Sequence, residues 1–337
     1  MRNIYDLTIK ELEDYFISIN EKKFRAVQVY EALYKRRIKS FDDMTNISKE
    51  VREKLKQVFS FYKIKMLIKQ QGKNVNKYLF ELEDGNKIES VLMFHDYGTS
   101  ICVSSQVGCN MTCAFCESGR LKKVRNLLAY EIVQQILQIE EDINKRITHV
   151  VLMGIGEPFD NYDNVLRFVK IINCGKGIDI GSRHITISTC GVIPGIKKFM
   201  NEEGQVNLAI SLHAPNDALR SRIMPINKAY PLNELRETIK EYINKTNRRV
   251  TFEYIMLDNV NDSEENAKEL ALLLKGINCY VNLIPYNETE NIEFKRTKEW
   301  KIMKFYDILK KNKINVTIRK EFGGSVDAAC GQLRANN

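Results

Sequence analysis

The chain has 337 residues, 44% of them hydrophobic and 28% charged, which suits a protein with one large folded domain and a small one and excludes disordered and fibrous classes. No apolar run approaches the ~20 residues of a membrane span, and the opening MRNIYDLTIKEL lacks the apolar centre of a signal peptide, so a cytoplasmic location away from membranes is expected. Eight cysteines are too sparse for a disulfide scaffold, and the net charge of +9 fits either a polyanionic partner or a merely solvated lysine-rich surface.

Thr8 with Glu11 three residues on matches a capping box and predicts a short helix carrying Leu12, Phe16 and Ile17. Further helices are expected over 24–36 and 49–59, making residues 1–60 a small N-terminal helical domain. Lys22, Lys23 and Arg25 precede the second helix, and Lys35, Arg36, Arg37 and Lys39 follow it, with Tyr30 and Tyr34 between. An RNA-binding face and a charged rim on a packing domain explain that cluster equally well. Residues 61–98 are expected to form a connector. Lys63, Lys65, Lys69, Lys73 and Lys77 give it a basic strand surface, and Asp84-Gly85 between alternating runs signals a β-hairpin extension. Glu89 falls on the return strand, where a carboxylate ordinarily faces solvent, so the residues alone give it no catalytic role.

From residue 99 onward the pattern alternates between strands and helices. SICVSSQ reads as a strand, followed by helices near 129–144, 161–172, 194–200, 232–244, 263–274 and 298–311. Between them lie HVVLMGIG, HITISTCG, VNLAISLHA, RVTFEYIML, YVNLIPYN and NVTIRKEFG, read as continuous apolar runs of a buried parallel sheet. About six such units predict right-handed crossovers and an α/β fold, a partial TIM-like barrel short of eight repeats, spanning 99–337. Function in such a barrel collects at the C-terminal strand ends, here Gly154, Gly156, Glu157, Ser188, Thr189, Ser211, Leu212, His213 and Asn287. The glycines permit close approach of a ligand, and Glu157 can accept hydrogen bonds from an ammonium or ribose hydroxyls. His213 reads as a satisfied strand-end histidine rather than a metal ligand.

The stretch QVGCNMTCAFCESGRLKKVRN, from Gln106 to Asn126, carries Cys109, Cys113 and Cys116. Three thiolates are one short of a closed structural zinc site, whereas an iron-sulfur cluster held by three keeps one iron open. The C-x3-C-x2-C spacing resembles the motif of the radical S-adenosylmethionine (radical-SAM) enzymes. A zinc knuckle completed by a distant histidine, or buried spare thiols, remain alternatives on spacing alone. Cys102 lies seven residues upstream of the first of these, and Cys330 sits among Ala328, Ala329 and Gly331, small residues that permit close approach but also suit a buried small hydrophobe. Cys174, Cys190 and Cys279 lie in apolar segments and read as core.

Taken together, SSQVGCNMTCAFC, LMGIGEPFDNYDNVL, ISTCGVIPGI, LAISLHAPND, RIMPINKAYPL, RRVTFEYIMLDNVND, NLIPYN and DAACGQLR resemble the RlmN/Cfr family of radical-SAM RNA methyltransferases over nearly the whole chain. The resemblance implies methylation of carbon 2 of an adenine at the peptidyl transferase centre of 23S ribosomal RNA, free or in assembly intermediates, with transfer RNA as a further candidate substrate. It implies one 4Fe-4S cluster on Cys109, Cys113 and Cys116, and two S-adenosylmethionines per turnover. One methylates Cys330; the other is cleaved to a 5'-deoxyadenosyl radical that activates the S-methyl group. That route suits an electrophilic ring carbon without a lone pair. By the same resemblance Cys102 is the disulfide partner of Cys330 late in turnover, and Glu89 matches the proton acceptor. Gly156, Glu157, Ser188, Ser211, Leu212, His213 and Asn287 match the S-adenosylmethionine contacts. A flavodoxin or ferredoxin would donate electrons, and the enzyme would be a monomer.

Gly156-Glu157-Pro158 resembles the carbon-2 enzymes, as do HAPND and NLIPYN. Glu117-Ser118-Gly119 departs from the usual Ala-Thr-Gly, and FGGS before Val326 is similar to the carbon-8 branch. The alternatives are therefore a carbon-8 resistance enzyme and a non-catalytic RNA-binding or assembly factor with a structural metal.

Overall fold

The expected capping box starts α1 (Ile9–Ser18): the Glu11 amide donates to Thr8 Oγ1 at 3.3 Å and the Glu11 carboxylate accepts from the Thr8 amide at 2.9 Å. It is followed by α2 (Arg25–Tyr34) and α3 (Lys49–Val58). The tyrosines between the basic clusters do not face outward. Tyr30 and Tyr34 are buried, and their hydroxyls donate to the carbonyls of Leu7 and Tyr5, both at 3.2 Å. Burial of two aromatic rings outweighs their polar tips, so the aromatic part of the expected RNA face is core. Lys23, Lys35 and Arg37 are ion-paired with Glu13, Glu31 and Glu140. The computed structural model describes residues 1–319; Cys330 and the DAACGQLR motif lie outside them.

The main sheet has ten strands whose spatial order follows the chain. They are β1 (Lys65–Gln71), β2 (Val75–Glu81), β3 (Lys87–His95), β4 (Gly98–Cys102), β5 (His149–Leu152), β6 (Ile185–Thr189), β7 (Asn207–Ser211), β8 (Val250–Met256), β9 (Cys279–Pro285) and β10 (Val316–Ile318). β1 to β4 are antiparallel, and every pairing from β4 to β10 is parallel. The helices after β4 are α4 (Ala129–Ile143), α5 (Tyr162–Ile172), α6 (Ile193–Phe199), α7 (Asp217–Ile223), α8 (Leu232–Thr246), α9 (Glu264–Leu273) and α10 (Glu299–Lys311). Six of them return the chain between parallel strands; α7 is an extra two turns before α8, capped by the Asn216 side chain.

Two expectations change. The lysine-rich segment is not one basic surface: a turn closed by Gly72 N to Val75 O at 2.7 Å splits it, and the resulting strands are the start of the barrel's own sheet. Lys69 pairs with Asp142 at 2.7 Å, while Lys77 is buried and pairs with Glu89 at 2.9 Å. Glu89 is thus an interior carboxylate rather than a solvent-facing one.

Nor are the parallel strands apolar throughout. Ile187, Leu208, Ile210, Phe252, Val281 and Leu283 belong to the large core. The alternate positions form lateral rows on the other face, one running Lys77, Val91, Cys102, Val151, Thr186, Asn207 and another Ser211, Glu253, Asn282. Period-two alternation therefore gives an apolar face toward the helices and a polar face toward the barrel interior. Among the described residues, no helix is long and apolar enough to cross a membrane.

Candidate active site

The cysteine loop leaves the C-terminal end of β4. Ser105 N donates to Ile155 O at 2.9 Å, and a two-stranded clip pairing Gln106 with Asn126 and Val107 with Arg125 closes the loop's base. Within it Cys109 N donates to Leu121 O at 2.8 Å, and Cys116 N to Cys113 O at 3.1 Å. A Cβ on Gly119 would lie 2.9 Å from both the Cys113 nitrogen and oxygen, so this turn admits only glycine without displacing the middle thiol's backbone. Ala114 N donates to Ile223 O at 2.9 Å, docking the loop on the end of α7.

Burial pushes the Cys109 thiol up to about 11, and burial followed by the neighbouring thiols Cys116 and Cys109 raises Cys113 well above its ordinary value. Such thiols ionise only when a cation compensates them, so the loop is built to exchange protons for metal. Three thiolates leave a structural zinc one donor short, whereas a cluster takes each thiolate on a separate iron and keeps one iron open, so the donor set fits a cluster.

The three cysteines line one cavity with Gly156, Glu157, Ser188, Ser211 and His213 at the C-terminal strand ends. Gly156 has φ +106°, and a Cβ there would be 2.5 Å from Gln106 Cβ, so close contact between the strand end and the loop base depends on glycine. The Glu157 carboxylate is raised by burial, yet each oxygen is held by a backbone amide, Phe159 N at 3.0 Å and Cys190 N at 2.8 Å. It therefore braces β6 against the turn after β5. His213 has φ +58°; its Nδ1 accepts from Ile255 N at 3.0 Å, and its ring meets Phe115 edge-on at 4.9 Å. Burial, and then Arg220, lower it to about 3, so the ring is neutral, a satisfied strand-end histidine.

Other expected residues lie differently. Leu212 is in the core and is not a wall of this cavity; its amide donates to Glu253 O at 3.0 Å. Asn287 is two residues beyond β9 and is not a wall of this cavity. Thr189 Oγ1 is taken up by the turn, accepting from Gly191 and Val192 amides. Cys102 is buried with Val75, Val91, Met93 and Ile155 in a small cluster of its own. Met153 packs against that cluster and also lines the cavity, so the two share a wall. Glu89 lies on the same sheet face as Cys102, two positions along β3 from its partner Val91, and Ser104 Oγ donates to the Glu89 carbonyl at 2.6 Å.

Lys77, read in the sequence as part of a basic strand surface, instead pairs with Glu89. Two residues missed in the sequence belong to the cavity end of the barrel. Glu253 lines the cavity, its carboxyl raised by burial and its Oε2 accepting from Asn282 Nδ2 at 2.8 Å. Arg220, on α7, lies fully buried behind the cavity wall. A lone acidic residue at an alternating strand position was a readable signal for Glu253; nothing comparable marks Arg220.

Comparison with known proteins gives this geometry a lineage. The family described as Radical SAM superfamily matches residues 103–271, and the one described as Ribosomal RNA large subunit methyltransferase N-terminal domain matches residues 2–61. The chain is 53% identical to the probable dual-specificity RNA methyltransferase RlmN of Spiroplasma citri, over 100% of this chain and 98% of that protein. The chain belongs to the RlmN family of radical-SAM methyltransferases. The RlmN-family protein of Enterococcus faecalis is 54% identical over 99% of this chain and 96% of its own length. A crystal structure of a radical SAM methyltransferase from Sphaerobacter thermophilus superposes with a TM-score of 0.94 at 41% identity, covering 100% of both chains. The radical-SAM family uses a 4Fe-4S cluster and S-adenosylmethionine, and the three thiols that share one cavity here fit that group.

Proposed function

We propose that this RlmN-family chain methylates carbon 2 of an adenine in 23S ribosomal RNA and also acts on transfer RNA, in keeping with the dual specificity named for its relatives. The observation that carries the reading is that Cys109, Cys113 and Cys116 line one cavity with Gly156, Glu157, Ser188, Ser211 and His213 at the C-terminal ends of parallel strands. One 4Fe-4S cluster on those cysteines would supply the electron that splits S-adenosylmethionine, of which two molecules serve each turnover.

The chain's own residues then have separable tasks. The strand-end glycines and serines, with Glu157, hold S-adenosylmethionine. Asn287 and Leu212, which are not walls of the cavity, are its further assigned contacts. Cys330, outside the described residues, carries the methyl group. Glu89 takes the ring proton, and Lys77 pairs with its carboxylate at 2.9 Å and holds it in place. Cys102, on the same sheet face as Glu89 and one wall from the cavity, attacks the Cys330 sulfur, so that the disulfide forms as the bond from that sulfur to the methylene carbon on the RNA breaks. Residues 1–60, with β1 to β3 at the edge of the sheet, present RNA to the parallel part of the barrel. The protein works as a cytoplasmic monomer with a flavodoxin or ferredoxin as donor.

The test is anaerobic reconstitution with iron and sulfide, then incubation with S-adenosylmethionine, a reductant and either a 23S fragment or transfer RNA. Digestion and mass spectrometry should find 2-methyladenosine in both RNAs, with 5'-deoxyadenosine released. 8-Methyladenosine would move the target to the other carbon, and no modified base with a full cluster would refute the reading.

A further inference from the structure

Arg220 is 0% exposed, and its guanidinium is engaged on every side. Nε donates to Leu212 O at 3.1 Å, Nη1 to Asn227 Oδ1 at 2.9 Å, and Nη2 to Cys190 O at 2.7 Å and Ser211 O at 3.2 Å. All four acceptors are neutral. Among the described residues no carboxylate forms an ion pair with it; Asp217, whose field it feels, spends its Oδ1 on Asn227 and the Leu232 amide. A permanent cation buried on carbonyls alone is costly, and natural sites place an opposite charge within reach.

The candidate for that charge lies on the cavity side. Arg220 Nη2 holds the carbonyls of Cys190 and Ser211, and both residues line the cavity together with Cys109, Cys113 and Cys116, so the guanidinium stands directly behind that cavity's wall. The cysteine loop is anchored to Arg220's own helix by the bond from Ala114, next to Cys113, to Ile223. The cation and the middle thiol are therefore held in fixed relation by backbone.

We propose that Arg220 is the fixed counter-charge of the metal centre on Cys109, Cys113 and Cys116, and that it sets how readily that centre accepts an electron. The inference rests on the cluster reading of those cysteines. Three thiolates on a doubly positive 4Fe-4S core leave a net negative charge, which grows by one on reduction. A nearby buried cation favours the more negative, reduced state. Arg220 is a positioning residue as well, because its fork ties the Cys190, Ser211 and Leu212 carbonyls and so fixes the ends of β6 and β7 beside the electron-accepting centre.

The experiment compares wild type, Arg220→Lys, Arg220→Gln and Arg220→Met, reconstituted anaerobically, with iron and sulfide counted and the cluster's midpoint potential measured by EPR-monitored titration without S-adenosylmethionine or RNA. Arg220→Lys, which keeps the charge, should stay near the wild-type potential. Arg220→Gln and Arg220→Met should show about tenfold fewer reduced clusters at a fixed poise, or about 59 mV more negative for a one-electron couple. Fully loaded neutral variants at the wild-type potential would overturn the proposal. Should the neutral variants fail to fold, Arg220→Lys decides alone. A wild-type potential with weaker S-adenosylmethionine binding supports the charge, and a tenfold shift despite the retained charge refutes it. A wild type that binds no cluster defeats the cysteine reading and this inference together, whereas a loaded wild type with unshifted variants defeats this inference only.

Discussion

The two ends of the barrel are built from the same strands and differ in what they leave unsatisfied. At the N-terminal ends His149 and His184 stack at 4.4 Å, His95 and Tyr97 stack at 4.6 Å, and Tyr97 meets His149 edge-on at 5.2 Å. Ring packs on ring at that end. At the C-terminal ends glycines replace rings, and thiols, serines and two buried carboxylates, Glu157 and Glu253, face a common cavity. A parallel sheet thus concentrates its fold-holding contacts at one mouth and its chemistry at the other, as the strand direction dictates. Each end nevertheless holds a histidine whose charged form is disfavoured by burial, His149 at one and His213 at the other.

The harshest test of the contrast is Cys113→Ser, which should abolish cluster iron and all methylation while the metal-free protein keeps its circular dichroism spectrum. Iron retained at wild-type stoichiometry would show that the open end is not the metal end.

Next in size is Lys77→Met, which leaves Glu89 buried without its cation. Breaking a buried pair costs roughly 3–5 kcal/mol, read by urea unfolding. Loss of a general base lowers turnover by about 10²–10⁴. The double variant Lys77→Met with Glu89→Gln should recover most of the stability and none of the turnover. Recovery of both would mean that Glu89 does no proton transfer.

A smaller effect is expected from acid. His213 is at about 3 when folded and near 6.5 when unfolded, so between those values the unfolded chain binds more protons and stability falls as pH falls. Going from pH 7 to pH 5, the metal-free protein should lose about 2 kcal/mol through this residue, and His213→Gln should flatten that slope. An unchanged slope would place the acid sensitivity elsewhere.

The mildest perturbation is Tyr97→Ala at the end with the stacked rings. This ring is 67% exposed, so the loss should stay below about 1 kcal/mol, with iron content and turnover untouched. A drop in turnover would mean that the N-terminal mouth also serves the reaction.

How much of this was legible depends on the range of the signal. The capping box at Thr8, the cysteine loop and the strand-end glycines are local patterns, and each was readable. The Lys77–Glu89 pair exists only once β2 and β3 adopt their register, which no single strand specifies. Arg220 sits on seven residues of helix, too short for a periodicity, and its acceptors, from Cys190 after β6 to Asn227 after α7, converge only once the chain has folded. Glu253 was hidden by reading RVTFEYIML as apolar when its alternation was the message. Tyr30 and Tyr34 misled in the opposite sense: their neighbours in sequence are basic, but the helix turns those neighbours outward and the rings in.

The sheet's strand order has a consequence for biosynthesis. Because each strand pairs with the one made just before it, the sheet can grow strand by strand as the chain emerges from the ribosome, N-terminal part first, without waiting for a distant partner. The cysteines are synthesised early, between β4 and β5, whereas Ile284 of β9, which closes the far wall of their cavity, comes about half a chain later. For much of translation the thiols stand beside an unfinished wall, open to oxidants as well as to iron. Maturation of this protein is accordingly a race between completing the barrel and chemistry at its exposed sulfurs.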